Sequence, residues 1–248
     1  MIRKYTIDIN CDVGEGVSNE PQLFPYISSC NIACGGHTGD RDSMVATVRL
    51  AKKYGVRIGA HPSYPDKENF GRKSLSMDAD ELSQSIASQI GALEFICSGE
   101  VVALRHIKPH GALYNDLAKN EELAHLFLEA IEPYKNKLNL FVPFNSVIER
   151  LASKKGFKIM VEAFADRNYN EDLSLVSRSL PNALITKPAE VLEHVIHMVT
   201  EQKVRTVANT FNGIKADTYC IHGDTPEALQ ILTYISKELP KYHIDLIR

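Results

Sequence analysis

The sequence predicts a parallel α/β fold: a closed or nearly closed β/α barrel of about seven strands. Short β-like runs alternate with helical patterns along the whole chain, and no all-strand block interrupts them. That order builds a parallel sheet. The 248 residues hold no repeat, low-complexity tract or Gly/Ser-rich linker, and barrels of this kind commonly use about 250 residues as one domain. A single barrel domain over residues 1–248 is therefore expected, with a doubly wound open sheet as the alternative.

The expected strands lie near residues 4–11, 29–34, 56–60, 101–108, 138–143, 158–164 and 216–222, with a weaker one near 204–208. The first runs into Ile7-Asp8-Ile9-Asn10-Cys11-Asp12-Val13-Gly14-Glu15. Alternation puts Ile7, Ile9 and Cys11 on one face and Asp8, Asn10 and Asp12 on the other. Central parallel strands are normally apolar on both faces, so this polar row needs cations or hydrogen-bond donors beside it. The second strand leads into Asn31-Ile32-Ala33-Cys34-Gly35-Gly36-His37-Thr38-Gly39-Asp40, a glycine-rich turn entering a helix. Such a turn suits close ligand approach and anion binding, but it is no P-loop, because no Gly-Lys-Ser/Thr follows.

The helix at 40–54 puts Met44, Val48 and Ala51 on one face, with Asp40 as cap and Gly55 as stop. The third strand delivers His61 into a loop stiffened by Pro62 and Pro65. A helix at 78–97 opens on Asp78 and Glu81 in capping-box spacing and carries Leu82, Ile86, Ile90 and Leu93. On the fourth strand His106 and Lys108 share a face, Pro109 ends it, and His110 follows. Further helices are expected at 120–132, from Ser146 and Glu149, at 188–202 behind Pro188, and after Thr225 and Pro226. The sixth strand ends in Glu162-Ala163-Phe164-Ala165-Asp166-Arg167 and the seventh in Cys220-Ile221-His222-Gly223-Asp224. Arg167 beside Asp166 suits bidentate capture of a carboxylate or phosphate.

Nine histidines test the placement. His37, His61, His106, His110 and His222 each fall at or just past a strand end, where parallel α/β folds keep their chemistry. The helical wheel sets His125, His194 and His197 on or beside polar faces, as surface residues. If the barrel closes, Asp12, His37, His61, His110 and His222 should meet at one mouth. Asp12 and His61 are expected to make the closest approach, with the histidines near carboxylates titrating high. Lys108 is read as an anion partner at a strand end, outside the core, whose removal spares the fold.

Lys and Arg total 28 against 31 Asp and Glu, a net charge of −3. Without a clustered basic surface the chain is a poor partner for nucleic acid or an anionic membrane. No signal peptide, and no apolar run of the roughly 20 residues a membrane helix needs, is present. Five cysteines without a CxxC pair point to reduced thiols and a cytoplasmic location.

Six segments together resemble the LamB/YcsF family: DINCDVGEG at 8–16, NIACGGHTGD at 31–40, GAHPSYPD at 59–66, HIKPHGALYN at 106–115, EAFADR at 162–167 and CIHGD at 220–224. One departure is Gly36, where the family usually carries an aromatic residue; this is expected to widen the pocket. The resemblance implies a deformed barrel similar to the glycoside hydrolase/deacetylase superfamily. It also implies the role of the A subunit in an ATP-dependent 5-oxoprolinase, which hydrolyses 5-oxo-L-proline to L-glutamate while ATP, carried with Mg²⁺, becomes ADP and phosphate. Partner subunits B and C are implied as well. Water must then attack a ring carbon activated by phosphorylation of the lactam oxygen. Asp12, Glu15 and His61 are candidate bases and His110 a candidate acid. Lys108 and Arg167 are candidate cations for carboxylate and phosphate. Asn31, His37, Asp166, His222 and Asp224 complete the candidate substrate-binding set. Whether a metal is bound stays open. The Asp8-x3-Asp12 and His106-x3-His110 spacings loosely suit a metal-dependent amidase or polysaccharide deacetylase, and a non-catalytic substrate-binding barrel is the third reading.

Overall fold

The computed structural model describes residues 3–225 and 227–247. Six parallel strands follow in chain order: β1 (Tyr5–Val13), β2 (Ser29–Ala33), β3 (Arg57–His61), β4 (Leu104–Ile107), β5 (Asn139–Pro143) and β6 (Lys158–Phe164). A small antiparallel hairpin, β7 (Lys203–Arg205) and β8 (Phe211–Gly213), precedes β9 (Thr218–Cys220). β9 pairs in parallel with both β6 and β1, so seven strands close into a barrel and the open doubly wound sheet is set aside. Closure is shared: β9 pairs with Asp8–Asn10 of β1, while β10 (Ile244–Leu246) pairs with its Tyr5–Ile7 end.

The helices are α1 (Glu20–Leu23), α2 (Arg41–Tyr54), α3 (Ala79–Gly99), α4 (Gly111–Leu117), α5 (Glu121–Ala130), α6 (Val147–Lys155), α7 (Pro188–Ile196) and α8 (Ala228–Glu238). The caps follow the sequence. Asp40 and Ser43 form a reciprocal capping box on α2, and Gly55 closes it in the left-handed region at φ 69°. Asp78, Asn120 and Ser146 accept backbone N–H groups at their helix starts. Pro226, expected ahead of the last helix, lies outside the described residues.

Five elements differ from expectation. The weak strand near 204–208 is β7, which pairs only with β8 and takes no part in the barrel. β4 starts at Leu104, because α3 runs on to Gly99 and Val101 turns left-handed at φ 55°. α4 and β10, of seven and three residues, are too short to show a period in the sequence. The helix from Pro188 passes into a π-helical turn at His197–Glu201 and ends at Gln202, φ 53°.

The polar row of β1 is buried and paired. Asp8 accepts hydrogen bonds from Ser29, Arg57 and Thr218. Asn10 donates to Glu162 on β6 at 2.9 Å, across the strand that separates them. All five cysteines are free and buried. Among the described residues no helix is long and apolar enough to cross a membrane.

Candidate active site

The carboxyl ends of the strands open into a cavity of about 600 Å³. Asp12, Glu15, His61, Lys108, His110, Arg167, His222 and Asp224 line it. Asn31, His37 and Asp166 stand behind that wall, buried, and act on the residues that line it.

Asp12 is the anchor. Its Oδ1 accepts from Asn31 Nδ2 at 2.7 Å and from Lys108 Nζ at 2.9 Å, and lies 3.5 Å from His61 Nε2. Burial alone would raise this carboxyl. His61 and Lys108 outweigh it and hold Asp12 well below the usual carboxylate range. Lys108 is only 2% exposed and also pairs with Glu162 Oε1 at 3.0 Å. Its ammonium is thus held between two carboxylates, so it fixes Asp12 and is not free to receive a substrate anion. It also belongs to the interior, so its removal should not spare the fold.

The histidines form a second group. His61 Nε2 and His110 Nδ1 are 3.0 Å apart, which makes this the closest approach, ahead of Asp12 and His61. His37 stacks on His110 with ring centroids 3.7 Å apart, and its Nε2 meets Glu15 Oε1 at 3.0 Å. Phe70, left-handed at φ 55°, presents its carbonyl to His110 Nε2 at 3.0 Å. For His37 and His110 titration runs opposite to expectation. Burial lowers His37 to about 3 and holds His106 and His110 well below the ordinary histidine range. Burial, with the Asp12 charge adding to it, pushes the Glu15 carboxyl up to about 7.

The other wall is built from the sixth strand and the loop after it. Asp166 takes His222 Nδ1 at 2.9 Å, the His222 backbone N–H at 2.9 Å and Thr225 Oγ1 at 2.9 Å. It therefore positions His222. Arg167 donates to the carbonyls of Val176 and Ala183 and makes no ion pair among the described residues. Asp224 pairs with Arg72 and Arg178 across the rim.

Comparison with known proteins places this geometry. The model of the LamB/YcsF family matches residues 7–247. The chain belongs to the LamB/YcsF family. It is 40% identical over 240 residues to the 5-oxoprolinase A subunit of Haemophilus influenzae (strain PittEE), covering 97% of this chain and 98% of that one. It is 41% identical over 246 residues to the 5-oxoprolinase A subunit of Pyrococcus abyssi, covering 97% and 96%. Among solved structures it is similar to a lactam utilization protein from Thermus thermophilus, with a TM-score of 0.91, 34% identity and 97% and 98% of the two chains covered.

For this LamB/YcsF chain the sequence pattern did not single out two residues of the site. Buried Glu20 accepts the backbone N–H groups of Gly14 and Glu15, each at 2.9 Å, and so shapes the turn that carries Glu15. Its position, on the short α1 with no period around it, gave no signal. Glu162 lines the cavity and holds Asn10 and Lys108. Its alternation with Phe164 on β6 was a usable signal. The family departure at Gly36 does not widen the pocket. A Cβ there would lie 2.4 Å from Gln89 Oε1 and Ser63 Oγ, because Gln89 fills the space and clamps Ser63. His194 is buried, and His125 and His197 are half-buried rather than exposed; none of the three lines the cavity.

Proposed function

We propose that this chain is the ring-opening component of an ATP-dependent 5-oxoprolinase. It converts 5-oxo-L-proline to L-glutamate together with subunits B and C, in the cytoplasm, as ATP becomes ADP and phosphate. The observation that carries the proposal is the buried Asp12–Glu15–His61–His110 cluster facing the cavity, in a chain whose relatives bear the name of the 5-oxoprolinase A subunit.

A five-membered lactam resists water at neutral pH, and phosphorylating its oxygen makes the ring carbon attackable. Water entering at that carbon must give up a proton, and the departing ring nitrogen must receive one. Glu15, with a carboxyl near pH 7, belongs to the group suited to such traffic. Asp12, held as an anion, faces His61 Nε2 at 3.5 Å and helps to orient its ring. Arg167, a buried cavity cation that pairs with no carboxylate among the described residues, is the partner for the substrate's carboxylate or phosphoryl oxygens.

The residues do not fit ATP with Mg²⁺. The α2 amino end after the glycine-rich turn, the anion seat the sequence suggests, is closed by the Asp40 carboxylate and Ser43. Lys108 is held by Asp12 and Glu162, and Arg72 and Arg178 share Asp224, so these cations are already engaged. The nucleotide therefore belongs to the partner subunits in this reading. The test is 5-oxoproline-dependent ATP hydrolysis by the chain alone, by B and C alone, and by all three. Glutamate should appear only with all three. Glutamate from the chain alone with ATP, or from B and C alone, would overturn the proposal.

A further inference from the structure

We propose that His61 Nε2, His110 Nδ1 and the Glu15 carboxylate form a binding site for a divalent transition-metal ion. The argument starts from which nitrogens carry hydrogens. His61 Nδ1 lies 2.7 Å from the Lys108 carbonyl oxygen, and His110 Nε2 lies 3.0 Å from the Phe70 carbonyl oxygen. A carbonyl only accepts, so each imidazole donates there. A neutral imidazole has one N–H. The two nitrogens that face each other at 3.0 Å therefore both present lone pairs. Both rings are buried, at 1% and 6% exposure. Two bare lone pairs at that separation repel unless a cation lies between them.

The geometry suits a metal ion. Adjacent ligands at right angles around an ion, with bonds of about 2.1 Å, stand about 3.0 Å apart. The third donor is in place: Glu15 Oε1 is 3.6 Å from His110 Nδ1, and the three donor atoms lie within 4.8 Å of one another. Histidine ligands characteristically donate their other N–H to a backbone carbonyl or carboxylate, which fixes the tautomer; both imidazoles do so here. All three residues line the cavity, so coordination positions remain open to water or substrate. Two imidazoles and one carboxylate select a zinc-, cobalt-, nickel- or iron-like ion over Mg²⁺ or Ca²⁺, which prefer oxygen.

A second group of potential ligands, Asp12, Cys220 and His222, is already filled. Lys108 Nζ sits 2.9 Å from Asp12 Oδ1 and 3.2 Å from Cys220 Sγ, and Asp166 takes His222 Nδ1. The ammonium occupies the place an ion would need.

The inference deepens the hydrolytic reading and rests on it only for the ion's role, which is to lower the proton affinity of bound water. Its test reads binding and not turnover, so the two can fail separately. Chelator-treated full-length chain is titrated with Co²⁺, followed by visible absorption, and with Zn²⁺ by equilibrium dialysis; Mg²⁺ serves as the control. One ion per chain is expected, with Mg²⁺ failing to compete. His61→Ala and His110→Ala should each weaken binding by about 100-fold or more, and Glu15→Gln by about 10- to 100-fold. His125→Ala, outside the cavity, should leave binding unchanged. Circular dichroism reports whether each variant is folded, and the near-isosteric Glu15→Gln carries the test if a histidine variant unfolds. Absence of stoichiometric binding, or equal affinity in the folded His110→Ala or Glu15→Gln chain, would overturn the proposal and leave a shared proton as the occupant of the gap.

Discussion

Lys108 shows how far one residue's role depends on partners distant in sequence. Its ammonium is held by Asp12 and Glu162 in the barrel interior. Lys108→Met would strand two buried carboxylates, so denaturant unfolding should show a loss of about 3–5 kcal/mol. A variant as stable as the parent would show that the pair contributes nothing to the fold. The polar row Asp8, Asn10 and Asp12 was legible in the sequence, as was its need for counter-charges. The partners were not, because Asn10 meets Glu162 across 152 residues and no local pattern encodes that meeting. Gly36 carries the same lesson: the missing side chain reads as space in the sequence, whereas Gln89 fills it in the structure. Titration was misread for a related reason. Neighbouring carboxylates were visible in the motifs, but the burial that lowers His37 and His110 was not.

Elements place these residues, and two predictions belong at that scale. β3 and β4 approach closely at Gly59, where a Cβ would come 2.0 Å from His106 Nε2. Gly59→Ala should push His106 off Asn31, which it meets at 2.6 Å, and cost about 1–3 kcal/mol in unfolding free energy. Unchanged stability would mean that the two strands separate freely. On α7, burial lowers His194 to about 4. The folded chain then binds fewer protons here than the unfolded chain, so the stabilising contribution is complete above the ordinary value near 6.5. It is lost as pH falls toward 4, by on the order of 3 kcal/mol. Unfolding midpoints between pH 7 and pH 4 should fall less steeply for His194→Asn than for the parent; parallel curves would contradict this. The wheel set His194 at the edge of the apolar stripe. It did not show that the segment after β6 covers that edge, with the Tyr169 ring 6.0 Å from His194.

At the scale of the whole molecule, the alternation of strand and helix made the barrel legible, and the histidines at strand ends pointed to the end of the barrel where the cavity opens. Two features of closure were not legible. β9 and β10 share one edge of β1, and the segment between β6 and α7 folds in to line the cavity through Leu173–Ser179 with little regular structure of its own. A three-residue strand and an irregular wall have no period to read. The central claim is that this mouth opens the lactam ring. Its most direct test is glutamate release from 5-oxoproline and ATP by the chain assembled with subunits B and C, comparing the parent with Asp12→Asn. That change keeps the shape and an oxygen acceptor for Asn31 while removing the charge, and the thermal midpoint of the variant checks its fold. The account predicts glutamate release lowered about 100-fold or more. Release at the parental rate from the folded variant would contradict it.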